Sequence, residues 1–323
     1  MDNAFMSTIP APVLLIFFTR SDLLEQTLKP LAHTKPRKLY MAVDGPRDET
    51  DKPKIADCKK LALDFCLEHG FSWELLESEK NLGCRKRITS AISECFTKEE
   101  RLIILEEDCV AHPSFFRFCD DLLDYYADDE EVMSISGNNF QAGQRRGKSS
   151  YFFSDYFHCW GWATWARAWK HCDMGLKEWP QTRDNSWWKK RFRDRNVRWY
   201  WTQLLDRVYA GEGQMWSTHW LFSIWMLNGL NVAPQVNLVK NIGFDERSTH
   251  SSNPLPGAGN YEEAGMAFPL RHPRIKRIHH KADAFEFYYH FCPSLKKKPF
   301  VKAWLSKHPR VRHLLTRIGV CSA

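Results

Sequence analysis

The chain has 323 residues, 43% of them hydrophobic and 26% charged, with a formal net charge of +7. That apolar share excludes wholesale disorder, and the length suits one large α/β domain with a smaller extension. No stretch reads as a membrane span, and the apolar run Val13–Phe18 is too short for a signal segment.

In chain order, Val13–Phe18 has the unbroken apolar pattern of a strand buried on both faces. Ser21–Ala32 has helical period, Leu39–Val43 is a second strand stopped by Asp44-Gly45-Pro46, and Lys54–Gly70 is a periodic helix. A strand at Trp73–Leu76, a helix at Ile88–Phe96 and a buried strand at Arg101–Leu105 extend the alternation. Such alternation predicts an α/β fold with a doubly wound, mostly parallel sheet flanked by helices. Phe115–Tyr126 predicts a helix with a capping signal at Ser114, Val132–Ser136 a strand, and Gln141–Ser150 a polar, basic loop.

Most of the 14 tryptophans fall between Trp160 and Trp225, where they suit either a structural core or sugar stacking. Helical patterns follow at 187–211 and 220–227, and Asn253–Gly265 reads as a loop. Positive residues gather late, at Lys296-Lys297-Lys298, Lys302, Lys307, Arg310, Arg312 and Arg317. They suit a solvated surface helix, a peripheral contact with an anionic membrane, or a polyanionic acceptor. The ten cysteines show no CxxC and no zinc spacing, so reduced thiols and a cytoplasmic location, extending to the inner face of the membrane, are expected.

Ligands of doubly wound sheets bind at the carboxyl ends of strands. Those ends carry Thr19-Arg20, Asp44-Gly45 and Glu106-Glu107-Asp108, which should converge on one crevice. Carboxylates crowded at the end of a buried strand repel one another unless a cation is present, and oxygen ligands suit Mg²⁺ or Mn²⁺.

The segment Ile104-Leu105-Glu106-Glu107-Asp108, continuing through His112-Pro113-Ser114-Phe115-Phe116, resembles the acidic motif of GT-A glycosyltransferases. The likeness is to N-acetylglucosaminyltransferase I and its bacterial relatives. It extends to Thr19-Arg20-Ser21, Val43-Asp44-Gly45, Trp160-Gly161-Trp162 and Asn237–Phe244. The resemblance implies a metal-dependent, inverting transferase of the nucleotide-diphosphosugar superfamily. Its GT-A domain is expected over 1–268 (donor half about 10–140, acceptor half about 141–268), with a basic, helical extension over 269–323. Residue by residue, it implies that Arg20 and Asp44 hold the nucleotide base, that Glu106 and Glu107 contact donor sugar and ribose, and that Asp108 ligates the metal. Glu107 departs from the family's Asp by one methylene. Asn81 and Arg85 open a helix with a basic cluster suited to a diphosphate, or only to solvent. His250 is a metal candidate or an ordinary loop histidine.

The relatives place an aspartate as catalytic base before a tryptophan, whereas here Trp216-Ser217-Thr218-His219-Trp220 has no carboxylate. His219 fills that slot and can accept a proton when neutral. Glu212 and Asp184 are alternatives, and the base is left open. The expected activity is hexosyl or N-acetylhexosaminyl transfer from a nucleotide-diphosphosugar, UDP-sugar favoured, with Mn²⁺ or Mg²⁺. Glycan, bacterial polysaccharide or lipid-linked acceptors are expected partners, and nucleic acid is not. Two alternatives stand beside it: an impaired sugar-nucleotide binder, and a sugar nucleotidyltransferase, which normally shows an early Gly-rich phosphate loop that this sequence lacks.

Overall fold

A computed structural model describes residues 7–213, 215–247 and 262–292. The first half runs β1 (Ser7–Ile9), β2 (Val13–Phe17), α1 (Ser21–Leu31), β3 (Thr34–Pro36), β4 (Leu39–Val43), α2 (Asp51–His69), β5 (Trp73–Glu77) and α3 (Cys84–Cys95). Then come β6 (Arg101–Glu106), β7 (Cys109–Ala111), α4 (Ser114–Tyr125), β8 (Val132–Ser136), β9 (Tyr151–Ser154) and β10 (Trp162–Trp165). Helices α5 (Ala166–Trp169), α6 (Trp179–Thr182), α7 (Ser186–Arg191), α8 (Arg195–Tyr209) and α9 (Trp216–Met226) precede β11 (Leu230–Pro234), β12 (Val239–Asn241) and α10 (His280–Glu286).

Eight strands form one mixed sheet in the order β5-β4-β2-β6-β10-β8-β11-β9. The pairs β5–β4, β4–β2, β2–β6 and β8–β11 are parallel, while β10 runs antiparallel to both its neighbours and β9 closes the edge antiparallel to β11. The α/β fold, mostly parallel and flanked by helices, is as expected. Alternate side chains of a strand face opposite ways, and here they divide the interior into two cores. Val13, Leu15, Phe17, Met41, Ile103 and Leu105 pack with α1, α2 and α4. Leu14, Ile16, Ala42, Leu102 and Ile104 pack with α3 and the aromatic helices α5–α9.

The tryptophan-rich middle is mainly that second core. Trp162, Trp179, Trp188, Trp201, Trp220 and Trp225 are fully buried, and Trp162 lies 5.6 Å from Trp216 between ring centroids. Ser114 does not cap α4 as expected: it is the first helical residue, and His112 Nδ1 instead accepts its backbone N–H at 3.1 Å. The charged stretch at 187–211 is two helices, because the Asp194 side chain accepts from Asn196 N and starts α8 afresh. The nine described cysteines are free.

Residues of the expected extension pack on the second half of the sheet. Asp283 on α10 accepts from Ser154 Oγ at 2.7 Å, and Glu286 bonds His158 Nε2 at 2.5 Å. His290, on the π-helical turn Phe287–Phe291, stacks on Phe140 at 3.8 Å and has a buried, unpartnered Nδ1. Burial, reinforced by His158, pushes its imidazole down to about 3. A histidine kept neutral in the fold but free to protonate when unfolded stabilises above its unfolded pKa. That contribution is lost as pH falls from the ordinary value of 6.5 toward 3. His290→Phe keeps the stack, so its urea midpoint should drop less than the wild type's between pH 7 and pH 4.5. An equal drop would place the acid sensitivity elsewhere.

Candidate functional site

Strand β6 delivers Glu106, and the turn to β7 carries Glu107 and Asp108. The β7–β12 pair then sets Asn241 opposite Cys109, so the chain after β12 returns onto Asp108. Ile242 N donates to Asp108 O at 2.8 Å, and Asn241 Nδ2 lies 3.4 Å from Asp108 Oδ1. Gly243 makes this approach feasible, since a Cβ there would sit 2.1 Å from Asp108 Oδ2. The Asn237–Phe244 segment is thus joined to the acidic motif by a strand pair of only three residues a side.

Arg20, at the start of α1, turns its guanidinium onto the acids. Its Nε donates to Glu107 Oε1 at 2.8 Å, its Nη2 to Asp108 Oδ2 at 2.7 Å, and its Nη1 approaches Gly243 O at 3.4 Å. Thr27 Oγ1 donates to the Glu107 carbonyl at 2.7 Å, tying α1 to the same turn. The Glu106 carboxylate has no hydrogen bond or ion pair among the described residues and faces the cavity.

Burial is the main cause that raises the carboxyls of Glu106 and Glu107, with repulsion from Asp108 next. Glu107 is pushed up to about 7 despite Arg20, and Glu106 stands well above the usual carboxylate range. The Cys84 thiol is raised by burial and then by Glu106, Glu107 and Asp108. Glu107 and Asp108 thus share one guanidinium, with Glu106 unpaired beside them in a desolvated place, an excess of negative charge that a divalent cation would relieve. The donor set, all oxygen, fits Mg²⁺ or Mn²⁺.

Above the acids lies a cavity of about 850 Å³ that brings together Thr19, Arg20, Asp44, Asn81, Glu106 and Glu107. The three polar strand ends do converge. The cavity is also lined by Arg47, Lys54 and Arg247, which the sequence had not singled out, and by Arg87 of the expected basic cluster. Three of these have partners: Arg47 pairs with Asp51, Arg87 Nη2 donates to Leu76 O at 2.8 Å, and Arg247 bridges Asp22 and Asp245. Lys54 forms no salt bridge among the described residues. Its position one turn into α2, after a polar loop, was the only available signal.

The Asp44 carboxylate accepts from the backbone N–H of Gly45, Leu82 and Gly83, each at 2.9 Å. Asn81 Nδ2 donates to Gly45 O at 2.8 Å. These two residues therefore clamp the loop after β4 to the loop before α3, and shape the cavity while lining it. Within the basic cluster of α3, Arg87 lines the cavity and Arg85 does not.

His219 lies inside α9, 2% exposed, with Nδ1 within 3.1 Å of Met215 O, and burial lowers its imidazole. Glu212 is exposed on the loop after α8, and Asp184 pairs with Arg183 at 2.8 Å. Neither His219 nor Glu212 lines the cavity. His250 lies outside the described residues, as do the basic residues from Lys296 onward.

A second cluster, Asp155, His280 and Asp283, brings its ligand atoms within 4.8 Å of one another. It sits by Ser154, which pairs with Asn231 at the start of β11, so it is at the opposite end of the sheet from Asp108. There Arg191 already forms an ion pair with Asp155 and supplies a balancing positive charge.

No family model and no curated protein matches the chain. Solved structures that match include GalNAc-T7 with UDP, GalNAc and Mn²⁺, at 12% identity over 70% of this chain and 43% of that one, TM-score 0.42. TarS of S. aureus, residues 1–349, matches at 11% identity over 51% and 50%, TM-score 0.36. Glucosyl-3-phosphoglycerate synthase of Mycobacterium tuberculosis, in complex with Mn²⁺, UDP and phosphoglyceric acid, matches at 12% over 40% and 42%, TM-score 0.25. The matched region spans half or less of each of these solved chains. Each of these likenesses has a TM-score below 0.5.

Proposed function

We propose that the chain is a metal-dependent, inverting glycosyltransferase that moves a hexosyl or N-acetylhexosaminyl group from a nucleotide-diphosphosugar, UDP-sugar favoured, to a glycan, polysaccharide or lipid-linked acceptor. One observation carries the reading: Glu106 and Glu107 line a cavity together with Arg47, Lys54, Arg87 and Arg247, while Asp108, next in sequence, does not line it and is bonded to the lining Arg20. Acids and cations on one cavity suit a divalent cation held beside a diphosphate. Asp108 would hold the metal, joined by His250, and a bound Mn²⁺ or Mg²⁺ would neutralise the charge growing on the departing nucleotide.

The chain's own residues orient the donor. Arg20 steadies Glu107 and Asp108, the Asp44–Asn81 clamp fixes the cavity wall, and Glu106 is free to accept from sugar or ribose hydroxyls. His219 is the residue proposed to take the acceptor proton, with Glu212 as alternative. Burial keeps the His219 imidazole neutral, the form a base needs. A thermal-shift screen of UDP, GDP, CDP and TDP, each with and without Mn²⁺, tests the donor side. One nucleotide should raise the melting temperature by several degrees, and only with the metal. No shift with any pair would overturn the reading.

A second reading, a sugar-nucleotide binder without turnover, is favoured by His219 lying away from the cavity. Release of free sugar from the stabilising nucleotide's sugar conjugate would exclude it.

Gly243 supplies a test of site geometry. Gly243→Ala pushes a methyl group into Asp108, so the apparent Kd for Mn²⁺ with nucleotide should rise by tenfold or more, with unchanged far-UV circular dichroism. Unaltered affinity would mean that Asp108 is not a ligand.

A further inference from the structure

The run from Lys189 to Arg198 is among the most basic of the described surface, and the fold sorts it by role. Arg191 turns inward onto Asp155, and Arg198 Nη1 donates to Phe192 O at 2.6 Å. Asp194, the one acid of the run, also faces inward, capping α8 and accepting from Tyr288 OH at 2.7 Å. Lys189, Lys190, Arg193 and Arg195 are left exposed, with no salt bridge among the described residues. One helical turn beyond Arg195 stands Trp199, 57% exposed and without a ring contact among the described residues. An indole gives such a surface a large apolar ring with a polar edge, the combination enriched at membrane–water interfaces.

We propose that this α7–α8 face seats the protein on an anionic lipid surface. The cations complement acidic headgroups, and the Trp199 indole gains by lying at the boundary between headgroups and acyl chains. An acidic glycan is the competing occupant, since a sugar ring can stack on the indole, and heparin as a probe decides between the two. The turn Phe287–Phe291 packs on the same helix, Phe287 lying 5.4 Å from Tyr200. The described chain ends one residue later, at Cys292, and Lys296-Lys297-Lys298 follow in sequence. The face shares no residue with the cavity above Asp108, so this proposal and the donor reading fail separately.

Co-sedimentation of the full chain with phosphatidylcholine vesicles, with and without roughly a third phosphatidylserine, tests it. Binding should require phosphatidylserine and weaken in high salt. Reversing four cations in K189E/K190E/R193E/R195E should cost more than tenfold, given roughly fivefold per cation near the surface. Trp199→Ala, which removes no charge, should weaken binding severalfold. The control K35E/R145E/K148E/K170E makes the same change in net charge elsewhere and should bind within twofold of wild type. Equal losses in the two quadruple variants would overturn the proposal, as would undiminished binding of the first. Binding to heparin in the absence of any vesicle binding would overturn it too.

Discussion

Asp108→Asn should abolish the metal-dependent part of nucleotide stabilisation and cut sugar release far beyond the roughly 10–100-fold that loss of an outer partner of a metal ligand costs. The substitution keeps the shape that Gly243 accommodates and still offers Arg20 Nη2 an oxygen at the Oδ2 position, now 2.7 Å away. It removes only the charge and one anionic ligand. The unliganded protein should therefore melt near the wild-type temperature, while the response to Mn²⁺ with nucleotide disappears. A retained Mn²⁺ response would move the metal elsewhere, and the Asp155–His280–Asp283 group would be the next place to look. Its pairing with Arg191 argues against that outcome.

How much of this was legible in the sequence follows from what each element needs. Strands β2, β4 and β6 are buried on both faces, so their residues form unbroken apolar runs. The three-residue strands β1, β3, β7 and β12 have no room for a period, and β11 lies in a stretch that ends in Pro234 and mixes polar with apolar residues. Strand β10 was hidden because Trp162–Trp165 is part of an aromatic run with no alternation. At the site, the acids were legible as chemistry, since three carboxylates after a buried strand demand an explanation. The partner of those acids was not. Arg20 and Asp108 are 88 residues apart and meet only because β2 and β6 are parallel neighbours, with Ile16 opposite Glu106. Asp44 was legible as a turn former, and its backbone bonds to Leu82 and Gly83 show that role beside its place in the cavity wall.

Arg20→Ala should lower the stability of the unliganded protein and enlarge its response to Mn²⁺ alone. The side chains of Arg20, Glu107 and Asp108 are 15%, 10% and 16% exposed, so the pair lies largely out of water. Removing one partner of a buried pair leaves uncompensated charge and costs about 3 kcal/mol. In the variant Glu107 and Asp108 lose their contacting cation, and a divalent ion then meets three carboxylates of which none is held by a guanidinium. Coulomb attraction in a desolvated site strengthens accordingly. Titrating Mn²⁺ without nucleotide, by melting temperature, separates the possibilities. A larger rise in Arg20→Ala than in wild type is expected, bringing the two proteins closer at saturation. A smaller rise would mean that Arg20 chiefly holds Asp108 in ligating position, through the bond from Nη2, and that its charge matters less than its geometry. With nucleotide added, the variant should lose affinity despite its better hold on the metal, because Arg20 lines the cavity that the nucleotide is proposed to enter.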